Sequence, residues 1–317
     1  HSEHPAADGI SIRRGGATSF GRRSHLGKLA DYLSFYLTVA RDLALMDPKP
    51  DRVVALTTPP FLSILARLFS RLRGGDHAHW VMDLYPDVMI AHGMLRSGGL
   101  FDRVLGALAR WGFGGSRCKA VVTLGPDMAQ RVASYLHDAT RIDWIPLWGT
   151  AEGSSDESRP HFHPDPTPPR DPGRPLVLMY SGNMGLGHRF GEFLNAAATL
   201  GPEYVWKFHG NGKRRGDIER FIEENPEAPI ELGDYVPRSE LASHLASADV
   251  HLASLAPCWD GTMVPSKLQG IFAIGKPVIF VGTETCSIGQ WIAQSGGGWV
   301  VKPDDHTALA LALNQAL

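Results

Sequence analysis

Three loops carry residues suited to holding a phosphate. The first is Ser181-Gly182-Asn183-Met184-Gly185-Leu186-Gly187, followed by His188 and Arg189. Its glycines let backbone N–H groups approach an anion, and a helix beginning just after it would aim its positive end there. The second, Gly210-Asn211-Gly212-Lys213, adds a cation able to neutralise phosphate charge. The third, Asp260-Gly261-Thr262-Met263-Val264-Pro265-Ser266-Lys267, combines amides at a helix start with a lysine. A single glycine-rich turn is as often structural as ligand-bearing; three converging loops favour a nucleotide diphosphate. A fourth stretch, Asp83-Leu84-Tyr85-Pro86-Asp87, brings two carboxylates to the end of a predicted strand, where substrate is met in open α/β sheets, although Asp87 would equally cap a short helix.

Each loop is placed by the elements around it. Apolar Leu176–Tyr180 reads as a strand before the first loop, and Phe190, Phe193, Leu194 and Ala197 share one helical face after it. Tyr204–His209 and Val250–Ser254 are the strands before the second and third loops. A parallel sheet would gather all three loops at one edge. Upstream, strands at 51–56, 77–82, 120–124 and 142–147 alternate with helices at 29–46, 61–72, 101–113 and 127–136, and 9–13 is a short strand within an otherwise extended opening segment. Alternation of this kind predicts parallel sheets covered on both faces. Prolines crowd residues 151–175 and mark a linker. The expected organisation is therefore an α/β domain over 1–150, that linker, and a second α/β domain over 176–317.

The chain has 317 residues, 43% hydrophobic and 20% charged, with a net charge of -2. The charge is uneven: residues 1–150 hold 18 Lys and Arg against 13 Asp and Glu, leaving 13 against 20 in the remainder. A basic half without a dense cationic run argues only weakly for nucleic acid; an anionic lipid surface or a phosphate-bearing acceptor suits it as well. Arg67, Arg71 and Arg73 lie beside Phe61, Leu62, Leu65 and Phe69, so this helix either packs on a sheet with solvated arginines or lies on a membrane surface. No apolar run is long enough to span a bilayer and no signal-peptide pattern opens the chain. Cys118, Cys258 and Cys286 read as structural thiols of a reducing compartment. His161 and His163 lack the partners of a zinc site, and His77 and His79 read as structural. No G-x-S-x-G elbow or dinucleotide fingerprint is present.

The ordered motifs YSGNMGLGH, FHGNG, LGDYVPRSEL, ASADVHLASL and VPSKLQGIFAIGKPVI resemble the carboxyl-terminal domain of family 4 retaining glycosyltransferases of GT-B architecture. TTPP, DLYPD and SFGRRSHLGKLADYLSF are similar to the branch that builds bacterial envelope polysaccharides, including colanic-acid and aminosugar transferases. The resemblance covers residues 10–317. It implies two Rossmann-like domains facing a cleft, with the family's first βα unit and closing helix outside this chain. It implies a nucleotide-sugar donor, UDP- or GDP-linked, bound without a metal or other cofactor, and a lipid-linked or glycan acceptor, with no nucleic acid and a cytoplasmic location; peripheral contact with the inner membrane face is expected separately, from the basic first half and the Arg/Phe/Leu helix at 61–73.

By the same resemblance, Gly182, Asn183, Gly185 and Arg189 meet the diphosphate, with Gly210, Gly212 and Lys213 beside them. Tyr235 and Val236 meet the base, and Gly261, Thr262, Met263, Ser266 and Lys267 the phosphate and sugar. Asp83 and Asp87 belong to the acceptor side and, with Lys267, form the expected catalytic set. The chain departs from the family pattern in two ways: Asn183 replaces an arginine, and Thr262 and Gly270 replace a pair of glutamates. The diphosphate charge is thus expected to be met by Arg189, Lys213 and Lys267. Two further readings stay open at this point, a nucleotide-sugar epimerase or hydrolase on the same architecture and a non-catalytic glycan- or partner-binding relative.

Overall fold

The computed structural model describes residues 3–6, 10–13, 15–21, 25–136, 140–148 and 173–317. Its contacts cluster into two units: His1–Asp87, Leu95–Thr123 and Arg131–Trp144 form one, and Val88–Met94, Leu124–Gln130 and Ile145–Leu317 the other. The division is therefore not a single cut, because two short segments of the first half belong with the second unit. Most of the proline-rich stretch, 151–172, lies outside the described residues, as do His161 and His163.

The first unit opens with an antiparallel pair, β1 (Glu3–Ala6) and β2 (Ile10–Arg13), where the sequence predicts only the second strand. Then follow in chain order α1 (His25–Leu45), β3 (Arg52–Leu56), α2 (Leu62–Arg73), β4 (Asp76–Trp80), the short α3 (Asp87–Ala91), α4 (Leu100–Phe113), β5 (Cys118–Thr123), α5 (Pro126–Ala133) and β6 (Arg141–Trp144), of which α3 past Asp87 and α5 through Gln130 belong with the second unit. The four strands β3-β4-β5-β6 form a parallel sheet. β6 stops short of the predicted Leu147 because its partner β5 ends at Thr123, opposite Trp144. Helix α2 ends on Gly74, whose φ of 83° is left-handed and whose N–H reaches the Ser70 carbonyl, an ending that glycine adopts without Cβ strain. Two of its three arginines are half-buried and engaged with the protein: Arg67 donates to the Trp111 carbonyl and covers the Trp111 ring, and Arg73 donates to the carbonyls of Ala44 and Met46.

The second unit runs β7 (Leu176–Ser181), α6 (Gly191–Thr199), β8 (Tyr204–His209), α7 (Arg215–Glu224), β9 (Ile230–Gly233), α8 (Leu241–Ala246), β10 (Val250–Ser254), α9 (Lys267–Ala273), β11 (Val278–Val281), α10 (Ser287–Ser295), β12 (Gly298–Val301) and α11 (His306–Ala316). One 3-10 turn (Arg238–Glu240) leads into α8, and another spans Pro257–Trp259. The sheet is parallel throughout, in the order β9-β8-β7-β10-β11-β12. Its core is aromatic: Tyr180, Phe193, Tyr204, Trp206 and Phe208 are fully buried and pack with Leu176, Leu178 and Ile279. Each such side chain contributes about 1.5–3 kcal/mol by leaving water. Side-chain caps fix two later helices, the Cys286 sulfur accepting from the Gly289 amide and the Asp305 carboxylate from the Ala308 amide.

Among the described residues, no helix is long and apolar enough to cross a membrane.

Candidate functional site

The strand order of the second unit locates its crevice. From β7 the chain adds strands outward to β9, then returns to the other side of β7 to place β10 and continues to β12. Ligands of open α/β sheets bind outside the carboxyl ends of the strands at such a reversal. Here those ends are Ser181 and Ser254, so the loops that leave β7 and β10 frame the candidate site.

Hydrogen bonds tie these two loops together. The Ser254 hydroxyl donates to the Arg189 carbonyl at 2.7 Å and accepts from the Arg189 amide at 2.9 Å. The Ala256 amide donates to the Gly187 carbonyl. His188 is buried with Nδ1 2.7 Å from the Ser254 carbonyl oxygen, which can only accept, so Nδ1 carries the ring proton. Burial, with the charges of Lys267 and Arg214 adding, pushes His188 down to about 3 and keeps the imidazole neutral. Arg214 also donates to the His188 carbonyl at 2.6 Å.

The second glycine loop packs backbone to backbone on the first. The Met184 amide donates to the Asn211 carbonyl at 2.8 Å, and the Met184 carbonyl accepts from the Arg214 amide at 2.9 Å. A Cβ on Gly210 would collide with the Gly182 carbonyl and one on Gly212 with the Met184 carbonyl, and both residues have positive φ, 133° and 151°. Loop packing alone therefore requires glycine at these two positions. Tyr180 braces the same turn, its hydroxyl donating to the Asn183 carbonyl at 2.7 Å.

Against this frame stands Lys267, first residue of α9. Its Nζ lies 3.7 Å from the centre of the Tyr180 ring and beside Gly182, where a Cβ would come within 3.8 Å of it. The residue as a whole is half-buried, but the Nζ atom is fully buried and has no hydrogen-bond partner. Burial drives its pKa well below the usual lysine value. A desolvated ammonium held over an aromatic face is costly without an anion to pair with.

The other expected donor residues divide. Asn183 and Lys213 are exposed and Gly185 is half-buried. Arg189 is committed to carboxylates, with Nη2 2.5 Å from Glu192 and 2.6 Å from Asp304. Burial works to lower its pKa, and the bonds and charges of those two carboxylates outweigh it. Tyr235 is exposed with its hydroxyl donating to the Asn211 carbonyl, and Val236 is half-buried beside it in sequence. Thr262 is buried and donates its hydroxyl to the Trp259 carbonyl; Met263 is half-buried and Ser266 exposed. The Gly261 amide donates to Asp127 at 3.2 Å, and Asp127 also accepts from the Ser287 amide and hydroxyl. Asp127 thus anchors the loop after β10 to the start of α10.

In the first unit the two candidate acids separate. Asp87 is buried with both oxygens taken, by Arg131 at 2.9 Å and by the Tyr135 hydroxyl at 2.5 Å. It is the first residue of α3, but its carboxylate is turned to Arg131 and Tyr135 and no bond from it to the helix's own amides is seen. Asp83 is half-buried, its amide bonded to the Thr57 hydroxyl and its carboxyl raised above the usual range by burial.

His188, Arg214, Ser254 and Asp127 are contributors that the sequence did not single out. Only His188 carried a signal, its place directly after the glycine loop.

No protein-family model matches the chain. It is 26% identical over 269 residues to the probable glycosyltransferase WbjE of Pseudomonas aeruginosa, covering 84% of this chain and 66% of WbjE. It is 23% identical over 307 residues to the putative colanic acid biosynthesis glycosyl transferase WcaI of Escherichia coli K12, covering 93% and 72%. The chain thus spans roughly two thirds of WbjE. Among solved structures it matches HepE of Anabaena in complex with UDP and glucose (TM-score 0.61, 13% identity, 93% of this chain and 74% of HepE). It also matches the lipopolysaccharide outer core galactosyltransferase WaaB (TM-score 0.56, 14% identity, 93% and 72%). Both structural likenesses are of fold. With two parallel α/β units and these sequence relatives, the chain is a homologue of bacterial glycosyltransferases and has the GT-B fold.

Proposed function

We propose that the chain is a retaining glycosyltransferase of family 4 type that moves a sugar from a nucleoside diphosphate to a lipid-linked or glycan acceptor in the synthesis of envelope polysaccharide. The observation that carries this reading is Lys267, whose buried amine lies over the Tyr180 ring with no hydrogen-bond partner, beside the Gly182 loop at the reversal point of a six-stranded sheet. The names of WbjE and WcaI support the reaction class and pathway, and the UDP and UDP-glucose complexes of HepE support a nucleotide-sugar donor.

Breaking the sugar–phosphate bond leaves the electron pair, and thus growing negative charge, on the diphosphate. Lys267, the amides at the start of α9 and the exposed Lys213 neutralise that charge without a metal. Arg189 serves by holding Glu192 and Asp304, which keeps the loop end in place. The acceptor hydroxyl attacks the face from which the diphosphate departs, giving retention. Asp83, with its raised pKa, orients that hydroxyl and takes its proton, while Asp87 holds α3 to α5. The donor is UDP- or GDP-linked, with Tyr235 and Val236 against the base. The enzyme works at the cytoplasmic membrane face, where the basic first half and the exposed leucines Leu26, Leu29, Leu33 and Leu37 on one face of α1 give peripheral contact.

Replacing Lys267 with alanine should lower release of free nucleotide diphosphate from labelled donor by about 10²–10³-fold, as loss of a charge-stabilising group does. Unchanged release would overturn the assignment. A thermal-shift screen with UDP and GDP identifies the base, and sedimentation with anionic vesicles at low salt tests the membrane contact.

A further inference from the structure

Two histidines and a cysteine converge in the core of the first unit, apart from every residue used above. β4 carries His77 and His79 two positions apart, so both side chains leave the same face of the sheet. Cys118 opens β5 opposite His77 in the ladder. One donor atom from each of the three lies within 4.8 Å of the others, and all three residues are buried.

The nitrogens among them lack well-formed hydrogen bonds, although the Gly114 carbonyl faces His77 and the Gly112 carbonyl faces His79. His77 Nε2 and both nitrogens of His79 are buried without a well-formed hydrogen bond, whereas buried polar atoms are almost always paired. Ser70 also fixes the His77 tautomer. Its hydroxyl lies 2.9 Å from the Arg67 carbonyl, which can only accept, so the hydroxyl proton goes there. The same oxygen is 2.8 Å from His77 Nδ1 and must accept from it, which leaves the lone pair on Nε2. A hydrogen bond of this kind on the far nitrogen orients a ligating imidazole.

A small cavity of about 10 Å³, lined by Ala55, Thr57, Phe61, Ser63, Tyr85 and Phe113, adjoins His79 and has room for about one water.

We propose that His77, His79 and Cys118 bind a thiophilic d10 cation, zinc(II) being the ion suited to two imidazoles and one thiolate, and that it ties β4 to β5. The Cys118 thiol gives its proton to solvent as its sulfur takes the metal, and water from that cavity fills the fourth position.

The test uses the full chain, stripped with a chelator and titrated with cobalt(II) and then zinc(II). One equivalent of cobalt should produce a thiolate-to-metal charge-transfer band, and one equivalent of zinc should displace it and raise Tm. Cys118→Ser should abolish the band, Ser70→Ala should weaken affinity by about 10–100-fold, and Cys258→Ser and Cys286→Ser should leave the band intact. Absence of the band in the wild-type chain overturns the proposal whether or not any variant folds. So does a band that survives Cys118→Ser, which would place the metal elsewhere.

Discussion

Strands β8 and β4, each interior to its sheet, fill their inward positions with opposite chemistry, although β10 of the second sheet also buries an imidazole, His251, whose Nε2 meets the Leu245 carbonyl. In the second unit β8 turns Tyr204, Trp206 and Phe208 inward, all fully buried among other apolar side chains. In the first, β4 turns inward His77 and His79, and β3 leaves Val54 61% exposed. An aromatic core stabilises through area and contact and is indifferent to protonation. A core containing imidazoles depends on how each nitrogen is satisfied, so its stability is conditional on hydrogen bonds and bound ions.

The largest effect should come from the aromatic side. Phe208→Ala removes a fully buried ring at the centre of the cluster and should cost about 3–5 kcal/mol in denaturant unfolding. A loss under 1 kcal/mol would show that the core collapses around the gap and that the contrast with β4 is weaker than stated. Asp87→Asn probes the polar side. It strips the charge from a carboxylate that holds Arg131 and Tyr135 and should cost about 1.5–3 kcal/mol, with sugar transfer falling only as the folded population does. Asp83→Asn should do the reverse, lowering transfer with little change in stability; equal behaviour of the two variants would remove the distinction drawn between them.

Gly210→Ala forces a Cβ against the Gly182 carbonyl at φ 133° and should cost about 1–3 kcal/mol, weakening nucleotide binding in parallel. Nucleotide affinity that falls without any loss of Tm would instead assign Gly210 to ligand contact. The smallest effect is a gain. Lys267→Met relieves a buried unpartnered ammonium and should stabilise the free protein near neutral pH by about 1–2 kcal/mol while nucleotide binding falls. The sign follows from proton counting. Because the folded-state pKa lies well below the unfolded value of about 10.4, the unfolded chain binds more protons between the two, and wild-type stability rises with pH across that window. The methionine variant should lack that slope, and a slope equal to wild type would place the lysine in solvent.

Much of the fold was legible because parallel strands announce themselves as apolar runs. Leu176–Ser181, Tyr204–His209 and Val250–Ser254 lie where the periodicity predicts. The β1–β2 pair was missed at Glu3–Ala6, a segment holding a histidine and a proline rather than β-branched residues. At the candidate site the glycine loops were visible as composition. What held Arg189 was not, since Glu192 is a helical residue three positions on and Asp304 lies more than a hundred residues away. The Asp127 bonds to Gly261 and Ser287 likewise join residues distant in sequence that only the tertiary fold brings into contact. The His77–His79–Cys118 cluster was hidden for the same reason: two of its members read as strand residues, and the third enters through strand pairing.

The lock between the two glycine loops has an entropic meaning. With Met184 bonded on both its amide and its carbonyl, and Gly210 and Gly212 packed on the backbone opposite, the turn after β7 is already fixed before any ligand arrives. A nucleotide meeting such a turn does not have to order it. The conformational entropy that a mobile phosphate loop surrenders at binding is lost here during folding, so the free energy of the phosphate contacts goes into affinity undiminished.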